Sequence, residues 1–496
     1  MGGGQARIDK QHSTNKMTAR ERVEYLFDRG SFVEVNSLAE SRISDFGMDK
    51  KKVLGDGVIT GYGRIGGKLV FCSSQDFTVG GGSLGEAQAQ KICRVMDMAL
   101  DMRAPFLSIN DSGGARIEEG IDSLSGYGGI FYRHSRMSGA VPQIAAIMGP
   151  CAGGACYAPA LCDFIFMTEE TSQMYITGPA VIKAVTGETV TTSELGGAAV
   201  HTSKSGVAHF SYADDKSCLN GIRQLIGYLP SSCEDTKTTY DESYITKATG
   251  FASIVPDNKK TAYDIRRVIE EIADRGTFFE VQRDWAQNIV VGFIRMGHKT
   301  VGVVANQPKV MAGSLDFNAG DKAARFIRFC DCFGIPLLTL VDVPAFLPGK
   351  QQEYNGIIRH GAKMLYAYSE ATVPKVSVIL RKAYGGAYIA MNSKGMGADM
   401  VFAWPIAEIA VMGADGAANI IGRKRIEAAE DKDAERAKII AEYEEKFMNP
   451  YVAAARGFVD EVILPEETKE RVVSALVMLQ GKKQTAPSKK HGNLPL

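Results

Sequence analysis

Two short segments of similar composition could do chemistry through their backbone rather than through their side chains. Residues 149–158 read GPCAGGACYA and residues 381–390 read RKAYGGAYIA, and in each a Gly-Gly-Ala turn joins a predicted strand to a predicted helix. The start of a helix presents unpaired N–H groups and the positive end of its dipole. Glycine lets a ligand approach the backbone closely. Such a turn is an oxyanion hole, which would stabilise an enolate if it were directed at a thioester carbonyl.

A third glycine turn, DSGGAR at residues 111–116, follows another predicted strand and could donate a further N–H group to the same oxygen. Tight packing of a helix against a strand also requires glycine and alanine, so a single turn of this kind indicates structure alone. Two matched copies together with DSGGAR favour a function.

Ser83 offers a different chemistry. The segment GGSLG at residues 81–85 fits the G-x-S-x-G pattern of a nucleophile elbow, with a predicted strand before it and a predicted helix after it. The later segment AGSLD has Asp316 where the first has Gly85, which is more typical of a turn that caps the following helix. A serine hydrolase that uses Ser83 stays an alternative.

Other motifs indicate structure. The segment GYGRIG at residues 61–66 satisfies G-x-G-x-x-G, but the strand-like KLVFCS follows it, which predicts a hairpin instead of a dinucleotide site. Ala-Lys-Met at residues 362–364 lies in a helical pattern, so we do not expect this chain to carry biotin itself. His201 and His209 lack a clustered carboxylate and are predicted to be loop or core residues.

Composition excludes several classes of function. The 57 basic residues balance the 57 acidic ones, so no global field attracts nucleic acid or an anionic membrane. The nine scattered cysteines include no C-x-x-C pair, which favours reduced thiols over disulfides and predicts no metal site. The uncharged residues 137–162 are interrupted by three prolines and a Gly-Gly pair, so we expect no membrane helix there. The N-terminus has no signal peptide pattern, and a cytoplasmic protein is predicted.

The elements that must position the glycine turns can also be predicted. Residues 57–76 have the pattern of a hairpin, and residues 86–102 have apolar positions at helical spacing. The short apolar runs PFLSIND and PQIAAIMG predict buried strands, each ending at a glycine turn. Strands that alternate with helices predict an α/β fold with mixed or parallel sheets and helical cover.

This pattern occurs twice, so an internal duplication is predicted. The segment DRGSFVEV returns as DRGTFFEV, GGSL as AGSL, Ala104-Pro105 as Ile335-Pro336, VPQIAAI as VPKVSVI, and Gly153-Gly154 as Gly385-Gly386. The last four pairs recur in the same order, and their separation along the chain is constant to within one position. We therefore predict two related domains, residues 1–245 and 246–496, joined through the polar, threonine-rich residues 229–250.

Nearly the whole chain resembles the carboxyltransferase (β) subunits of biotin-dependent acyl-CoA carboxylases and their decarboxylase relatives, in the propionyl-CoA and methylmalonyl-CoA branch. The resemblance is carried by the long segments KMTARERVEYLFDRGSFVEV, SQDFTVGGGSLGEAQAQKI, INDSGGARIEEG, MGPCAGGACYAPAL, YITGPAVIKAVTGETVT, VDVPAFLPGKQQE, RKAYGGAY and WPIAEIAVMGADGAANII. It implies two crotonase-like domains and a homo-hexamer whose active sites lie between the N-terminal half of one subunit and the C-terminal half of another.

The resemblance also implies roles for individual residues. The thioester enolate of the acyl-CoA would be held by Gly113, Gly114, Gly154 and Ala155, and the ureido carbonyl of biotin by Gly386 and Ala387. Further substrate contacts would come from Gly153, Arg116, Gly385, Tyr384 and Ile389. The reaction would move CO2 between carboxybiotin, on a separate carrier, and the α-carbon of a short-chain acyl-CoA, with no metal.

The partner and the direction of the reaction stay open. A biotin carboxyl carrier with a biotin carboxylase subunit would give carboxylation, and a membrane decarboxylase subunit would give the reverse reaction. In propionyl-CoA carboxylases the residue after AYGGAY is commonly Asp, whereas this chain has Ile389, and IAMNSK and GAANII look closer to decarboxylase and transcarboxylase subunits. A scaffold that binds acyl-CoA without turnover is the non-enzymatic alternative.

Overall fold

Two units divide the chain, Met1–Thr236 and Lys237–Leu496. The computed structural model describes residues 2–235, 250–485 and 487–496, with the side chain of Ala252 excepted. The predicted boundary between residues 245 and 246 lies outside the described residues and stays a prediction. Each unit is described by itself below.

The first unit is built on one mixed sheet with helices on it. Its strands are β1 (Val33–Glu34), β2 (Val58–Ile65), β3 (Lys68–Gln75), β4 (Phe106–Ser112), β5 (Gln143–Ala152), β6 (Phe164–Thr168), β7 (Gln173–Tyr175) and β8 (Phe210–Tyr212). Its helices are α1 (Gln5–Ser13), α2 (Ala19–Leu26), α3 (Glu86–Asp101), α4 (Ile121–Met137), α5 (Tyr157–Ala160), α6 (Pro179–Thr186), α7 (Thr192–Gly196), α8 (Ala198–Ser203) and α9 (Asp215–Tyr228).

The second unit has the same kind of sheet. Its strands are β9 (Phe279–Val281), β10 (Ile289–Met296), β11 (Lys299–Asn306), β12 (Leu337–Val343), β13 (Lys375–Tyr384), β14 (Met400–Ala403), β15 (Glu408–Ala410) and β16 (Glu461–Val462). Its helices are α10 (Phe251–Ile254), α11 (Ile265–Ile272), α12 (Phe317–Cys332), α13 (Lys350–Tyr354), α14 (Ile357–Glu370), α15 (Gly385–Ala390), α16 (Ala414–Ile421), α17 (Arg423–Ala428), α18 (Lys432–Phe447), α19 (Pro450–Ala455) and α20 (Thr468–Met478).

The two sheets have one topology. The first runs in the order β1-β2-β3-β4-β5-β6-β8 with β7 on β5, and the second runs β9-β10-β11-β12-β13-β14-β16 with β15 on β13. In both, the first three strands are antiparallel and the strands that follow are parallel. The predicted duplication of a mixed α/β fold is confirmed.

The local elements follow from their residue patterns. The GYGRIG segment lies in the β2–β3 hairpin, whose turn contains Gly66 and Gly67 at positive φ, as predicted. The strands β5 and β13 are buried over most of their length, which is why they read as apolar runs without alternation. Residues 362–364 lie in α14, as the helical pattern predicts. Among the described residues, no helix is both long and apolar enough to cross a membrane.

Glycine at two equivalent turns is required by close packing. In the segments GGSL and AGSL, a Cβ at Gly82 would lie 2.0 Å from the carbonyl oxygen of Asp111, and a Cβ at Gly313 would lie 2.5 Å from that of Asp342. Both glycines have positive φ, +67° and +82°. The repeated tetrapeptide therefore brings each turn directly against the end of the next strand in the sheet.

Candidate active site

The first glycine turn lies at the end of β5. Gly153 has φ +65° and begins a 3-10 turn, Gly153–Cys156, that runs into α5. The N–H groups of Gly154 and Ala155 lie in this turn, at the start of the helical segment. A Cβ added at Gly154 would meet no atom within 4 Å, so the turn opens onto free space. A ligand oxygen can therefore approach these two N–H groups.

The second glycine turn repeats this geometry at the end of β13. Gly385 has φ +56° and begins α15, and a Cβ added at Gly386 would also meet no atom within 4 Å. The N–H groups of Gly386 and Ala387 lie in the first turn of α15, ahead of its first i→i−4 hydrogen bond within the helix. Ala387 is buried beneath the turn, as its counterpart in the first unit is. Each unit thus carries one Gly-Gly-Ala turn with free space over its second glycine.

The N–H groups of Gly113 and Gly114 in the DSGGAR turn have acceptors within the chain, and their role as donors to the enolate stays a prediction. The N–H of Gly113 donates to the carbonyl oxygen of Gly81 at 2.9 Å, and the N–H of Gly114 donates to Ser112 Oγ at 3.1 Å. Both donors are therefore engaged within the chain, because the Gly80–Gly82 turn packs against this segment. The residue equivalent to Gly113 in the second unit is Pro344, which has no N–H at all.

One backbone N–H donor in each unit was not predicted from the sequence. It belongs to the residue after Gly114 in the first unit and to the equivalent residue in the second. Leu84 exchanges backbone hydrogen bonds with Gly114 and Arg116, and Leu315 does the same with Ala345 and Leu347. The residues between these partners are Ala115 and Phe346, and among the described residues their N–H groups have no acceptor. The constant separation of the repeats would have paired these two residues, but only strand pairing shows which N–H groups are taken.

Arg116 lies in an internal ion cluster. Its side chain is 5% exposed, and one guanidinium nitrogen donates to Asp56 Oδ1 and to Glu119 Oε1, both at 2.8 Å. The other terminal nitrogen donates to the Ser83 carbonyl oxygen at 3.1 Å. The described contacts of this guanidinium are all within the chain, and its role as a substrate contact stays a prediction.

Tyr384 and Ile389 flank the second turn in different ways. The Tyr384 hydroxyl donates to Glu408, which also pairs with Lys259, and burial followed by this carboxylate raises the pKa of Tyr384. Its ring is 8% exposed, so the residue supports the turn from below. Ile389 lies on α15 and is 46% exposed, so its side chain is available to a ligand or to another chain.

Ser83 does not have the surroundings of a nucleophile. Its Oγ donates to the Gly80 carbonyl oxygen at 2.9 Å, so the hydroxyl proton is committed to the backbone. It is also not the predicted helix cap, because α3 has Gly85 at its N-cap, without a side-chain cap. In the second unit the cap is Asp316, whose carboxylate accepts from the N–H of Ala319 at 2.8 Å.

The two flagged histidines have structural partners. His209 is buried, and its Nδ1 accepts from the N–H of Ile165 at 3.1 Å. His201 Nε2 lies 2.8 Å from the Met174 carbonyl oxygen. Within the described ranges, no group of three or more His, Cys, Asp or Glu is arranged to hold a metal ion.

Two α/β units of one topology, each with a Gly-Gly-Ala turn at the end of a parallel strand, define a duplicated α/β fold, and the sequence predicts one oxyanion hole at each turn. The chain matches the family described as carboxyl transferase domain over residues 10–494, and it belongs to that family.

Its relatives include proteins that work in both directions. The chain is 57% identical over 498 residues to the methylmalonyl-CoA decarboxylase subunit alpha of Propionigenium modestum, covering 100% of this chain and 96% of that protein. It is also 57% identical over 498 residues to the propionyl-CoA carboxylase, carboxyltransferase subunit, of Haloferax mediterranei, with the same coverage of 100% and 96%.

A solved structure has the same fold. It is transcarboxylase 12S, a hexamer assembly with methylmalonyl-coenzyme A and methylmalonic acid bound, and it matches with a TM-score of 0.97 and 56% identity. The match covers 100% of this chain and 95% of that one. The predicted resemblance, the fold class of two crotonase-like α/β domains and the enzyme class, a carboxyltransferase, are confirmed.

Proposed function

We propose that this chain moves CO2 between carboxybiotin, borne by a separate carrier, and the α-carbon of a short-chain acyl-CoA of the propionyl-CoA or methylmalonyl-CoA type. The observation that carries the proposal is the pair of matched turns, one in each unit, at whose second glycine a Cβ would meet no atom within 4 Å. Two reactants that each develop negative charge on an oxygen require two such sites. A duplicated fold supplies both.

In this mechanism the first unit holds the acyl-CoA. The N–H groups of Gly154 and Ala155 bind the thioester oxygen, with Ala115 as a third donor, and so stabilise the enolate that forms when the α-carbon loses its proton or its carboxylate. Gly153 must be glycine because its φ is +65°. No side chain needs to react. The backbone donors are already in position, so no reorganisation is needed when the charge develops.

The second unit would hold biotin. The open space over Gly386 fits a group that comes close to the backbone, and the N–H groups of Gly386 and Ala387 would bind its ureido carbonyl oxygen. Biotin, when bound through its carrier, supplies the carboxyl group and accepts it in the reverse direction. Ile389 lies next to this position. In a hexamer whose active sites lie between the N-terminal half of one subunit and the C-terminal half of another, Ile389 would face the acyl-CoA held by the neighbouring subunit, which makes it the candidate for selecting the acyl chain.

The reverse reaction is the second candidate function. Identity of 57% to the methylmalonyl-CoA decarboxylase subunit alpha favours a chain that passes a carboxyl group from a methylmalonyl-CoA type of thioester to biotin, with a membrane decarboxylase subunit as partner. The hexamer assembly of transcarboxylase 12S supports a homo-hexamer for this chain. In either direction we place the protein in the cytoplasm, with biotin on a partner carrier.

The decisive experiment supplies the purified chain with methylmalonyl-CoA and free biotin. We expect decarboxylation to propionyl-CoA that depends on biotin. An acyl-CoA complex without turnover, even with the biotin carrier added, would identify a scaffold and overturn the proposal. Copurification from cells then decides the direction, because a biotin carboxylase subunit indicates carboxylation and a membrane subunit indicates decarboxylation.

A further inference from the structure

Each sheet has a β-bulge shortly before its Gly-Gly-Ala turn, formed by residues 148–150 of β5 and residues 380–382 of β13, and a buried aspartate on the neighbouring strand lies opposite each bulge. The pairing of β4 with β5 shifts between Asn110 and Ser112, and the pairing of β12 with β13 shifts between Val341 and Val343. The residues at the two shifts are Asp111 and Asp342, which are 0% and 1% exposed and occupy equivalent positions in the two repeats. Bulges of this kind redirect side chains beside active sites.

The first of these carboxylates is held by residues from the N-terminus of the chain. Asp111 Oδ1 accepts from Lys16 Nζ at 2.7 Å, and Oδ2 accepts from Arg22 Nη1 at 2.9 Å and from Gln11 Nε2 at 3.1 Å. Arg22 is completely buried on α2. Every oxygen of the carboxylate therefore has a donor, as a buried charge requires.

Arg22 also bonds to two other elements. Its Nη2 donates to the carbonyl oxygen of Met148, in β5, at 2.9 Å, and its Nε donates to Asp215 Oδ2, in α9, at 2.7 Å. Burial disfavours the charged guanidinium, but the two carboxylates outweigh this effect and raise the pKa of Arg22. One cation thus joins Asp111 of β4 to the bulged segment of β5, the strand that leads to Gly153.

The second carboxylate has a cation from a different place. Asp342 Oδ2 accepts from Arg381 Nε and from the Tyr263 hydroxyl, both at 2.9 Å, and Oδ1 accepts from the N–H of Lys382 at 3.2 Å. Arg381 lies in β13 itself, where the first unit has Gly149. A Cβ at Gly149 would lie 1.9 Å from Asp111 Oδ1, so the carboxylate occupies that space.

We infer that Arg22 and Arg381 are positioning residues, each joining a buried aspartate of one strand to the bulged segment of the neighbouring strand and so fixing the N–H groups of one glycine turn. The inference rests on the proposed function, which assigns one reactant to each turn. Arg381 lies in β13, the strand that leads to Gly385. The Met148 carbonyl oxygen that Arg22 binds lies in β5, the strand that leads to Gly153. Because the two cations share no partner among the described residues, the loss of one arginine–aspartate ion pair disturbs the binding of one reactant only.

The test uses the full chain with neutral, nearly isosteric variants. We expect Asp342→Asn to raise the KM for free biotin by about tenfold to 100-fold, because small displacements of binding groups have effects of this size. Calorimetric binding of methylmalonyl-CoA should stay unchanged in this variant. Asp111→Asn should weaken the binding of methylmalonyl-CoA by a similar factor and leave the KM for biotin unchanged.

Conservative rescue separates positioning from stability. Arg381→Lys should recover part of the affinity for biotin that Arg381→Met loses, and Arg22→Lys should do the same for methylmalonyl-CoA relative to Arg22→Met. The exposed pairs Arg133–Asp97 and Arg425–Glu442 provide controls, since Asp97→Asn and Glu442→Gln should change neither substrate.

Two outcomes would overturn the inference. One is an equal loss of affinity for both reactants in Asp111→Asn or in Asp342→Asn. The other is a lower thermal midpoint with both substrates bound as in the wild type. If the wild type itself shows no turnover with biotin, the proposed function fails, while the calorimetric comparison of Asp111→Asn with wild type still decides the inference for the first unit.

Discussion

Lys91 and Lys322 hold equivalent positions in the two repeats, and both donate to the backbone that leads into a hairpin. Lys91 Nζ donates to the carbonyl oxygens of Gly55 and Val58 at 2.8 and 2.6 Å. Lys322 Nζ has four such acceptors between residues 282 and 289, at 2.8 to 3.4 Å. These lysines attach α3 and α12 to the segments before β2 and β10.

Burial of Lys322 predicts a pH dependence of stability. Desolvation lowers its pKa from 10.5 to about 7, so between pH 7 and pH 10.5 the unfolded chain binds more protons than the folded one at this site. The contribution of Lys322 to the free energy of unfolding therefore rises with pH across this window, by up to about 1.4 kcal/mol per pH unit. Thermal midpoints at pH 7, 8 and 9 should rise for the wild type relative to Lys322→Met at equal protein concentration.

Lys322→Arg is the control for this effect, because arginine keeps its charge throughout the range. Its midpoint should follow that of Lys322→Met with pH. Parallel curves for the wild type and both variants would show that the lysine does not titrate in this window.

Valine substitutions at the two open glycines should separate the two reactants. At Gly386 and Gly154 a new Cβ would meet no atom within 4 Å and the backbone φ is not positive, so we expect both variants to fold. We expect Gly386→Val to lower biotin-dependent turnover by about 100-fold or more, the size of effect seen when an oxyanion donor is lost. Binding of acyl-CoA, measured by calorimetry, should stay intact.

Gly154→Val is the matched variant and should show the opposite division, with acyl-CoA binding lost. Loss of acyl-CoA binding in Gly386→Val, or normal turnover in both variants, would contradict the assignment of one reactant to each unit.

Ser83→Ala distinguishes the carboxyltransferase from a serine hydrolase. The Ser83 hydroxyl donates to the Gly80 carbonyl oxygen, so its removal costs one hydrogen bond, about 0.5–1.5 kcal/mol of stability. We expect turnover near that of the wild type and no labelling of the wild type by a fluorophosphonate. Covalent labelling at Ser83 together with inactivity of the variant would instead establish a nucleophile.

Ile389→Asp tests the selection of the acyl chain. The exposed isoleucine offers an apolar surface beside the second turn, and an apolar contact of one methylene is worth roughly 1–3 kcal/mol in discrimination. Replacing it by a carboxylate should lower kcat/KM for butyryl-CoA relative to propionyl-CoA by about tenfold. Ile389→Val keeps the apolar character and should leave the ratio near that of the wild type, whereas an unchanged ratio in both would place selection elsewhere.

The sequence predicts much of this site because its functional groups are local. Both Gly-Gly-Ala turns, the strands before them and the duplication follow from short continuous segments. The donors in the DSGGAR turn could not be assigned in this way. The N–H of Gly113 donates to the carbonyl oxygen of Gly81, and the whole of α3 separates these two residues along the chain. Arg22 and Asp111 are also distant in the sequence, and only the fold brings them together. The constant separation of the repeats does pair Asp111 with Asp342, which a systematic comparison of the two halves would have found.

The exchange of Gly149 for Arg381 has a consequence for the gene that encodes two similar halves. If recombination copied the first glycine turn and its strand into the second half, Asp342 would keep only the Tyr263 hydroxyl beside its buried charge, because Pro150 would replace Lys382 and has no backbone N–H. Copying in the other direction would place a third cation against Asp111, in space that its carboxylate already fills. Breaking a buried ion pair costs about 3–5 kcal/mol, so either product would be disfavoured. The two repeats are thereby protected from being made identical, and each can adapt to its own reactant.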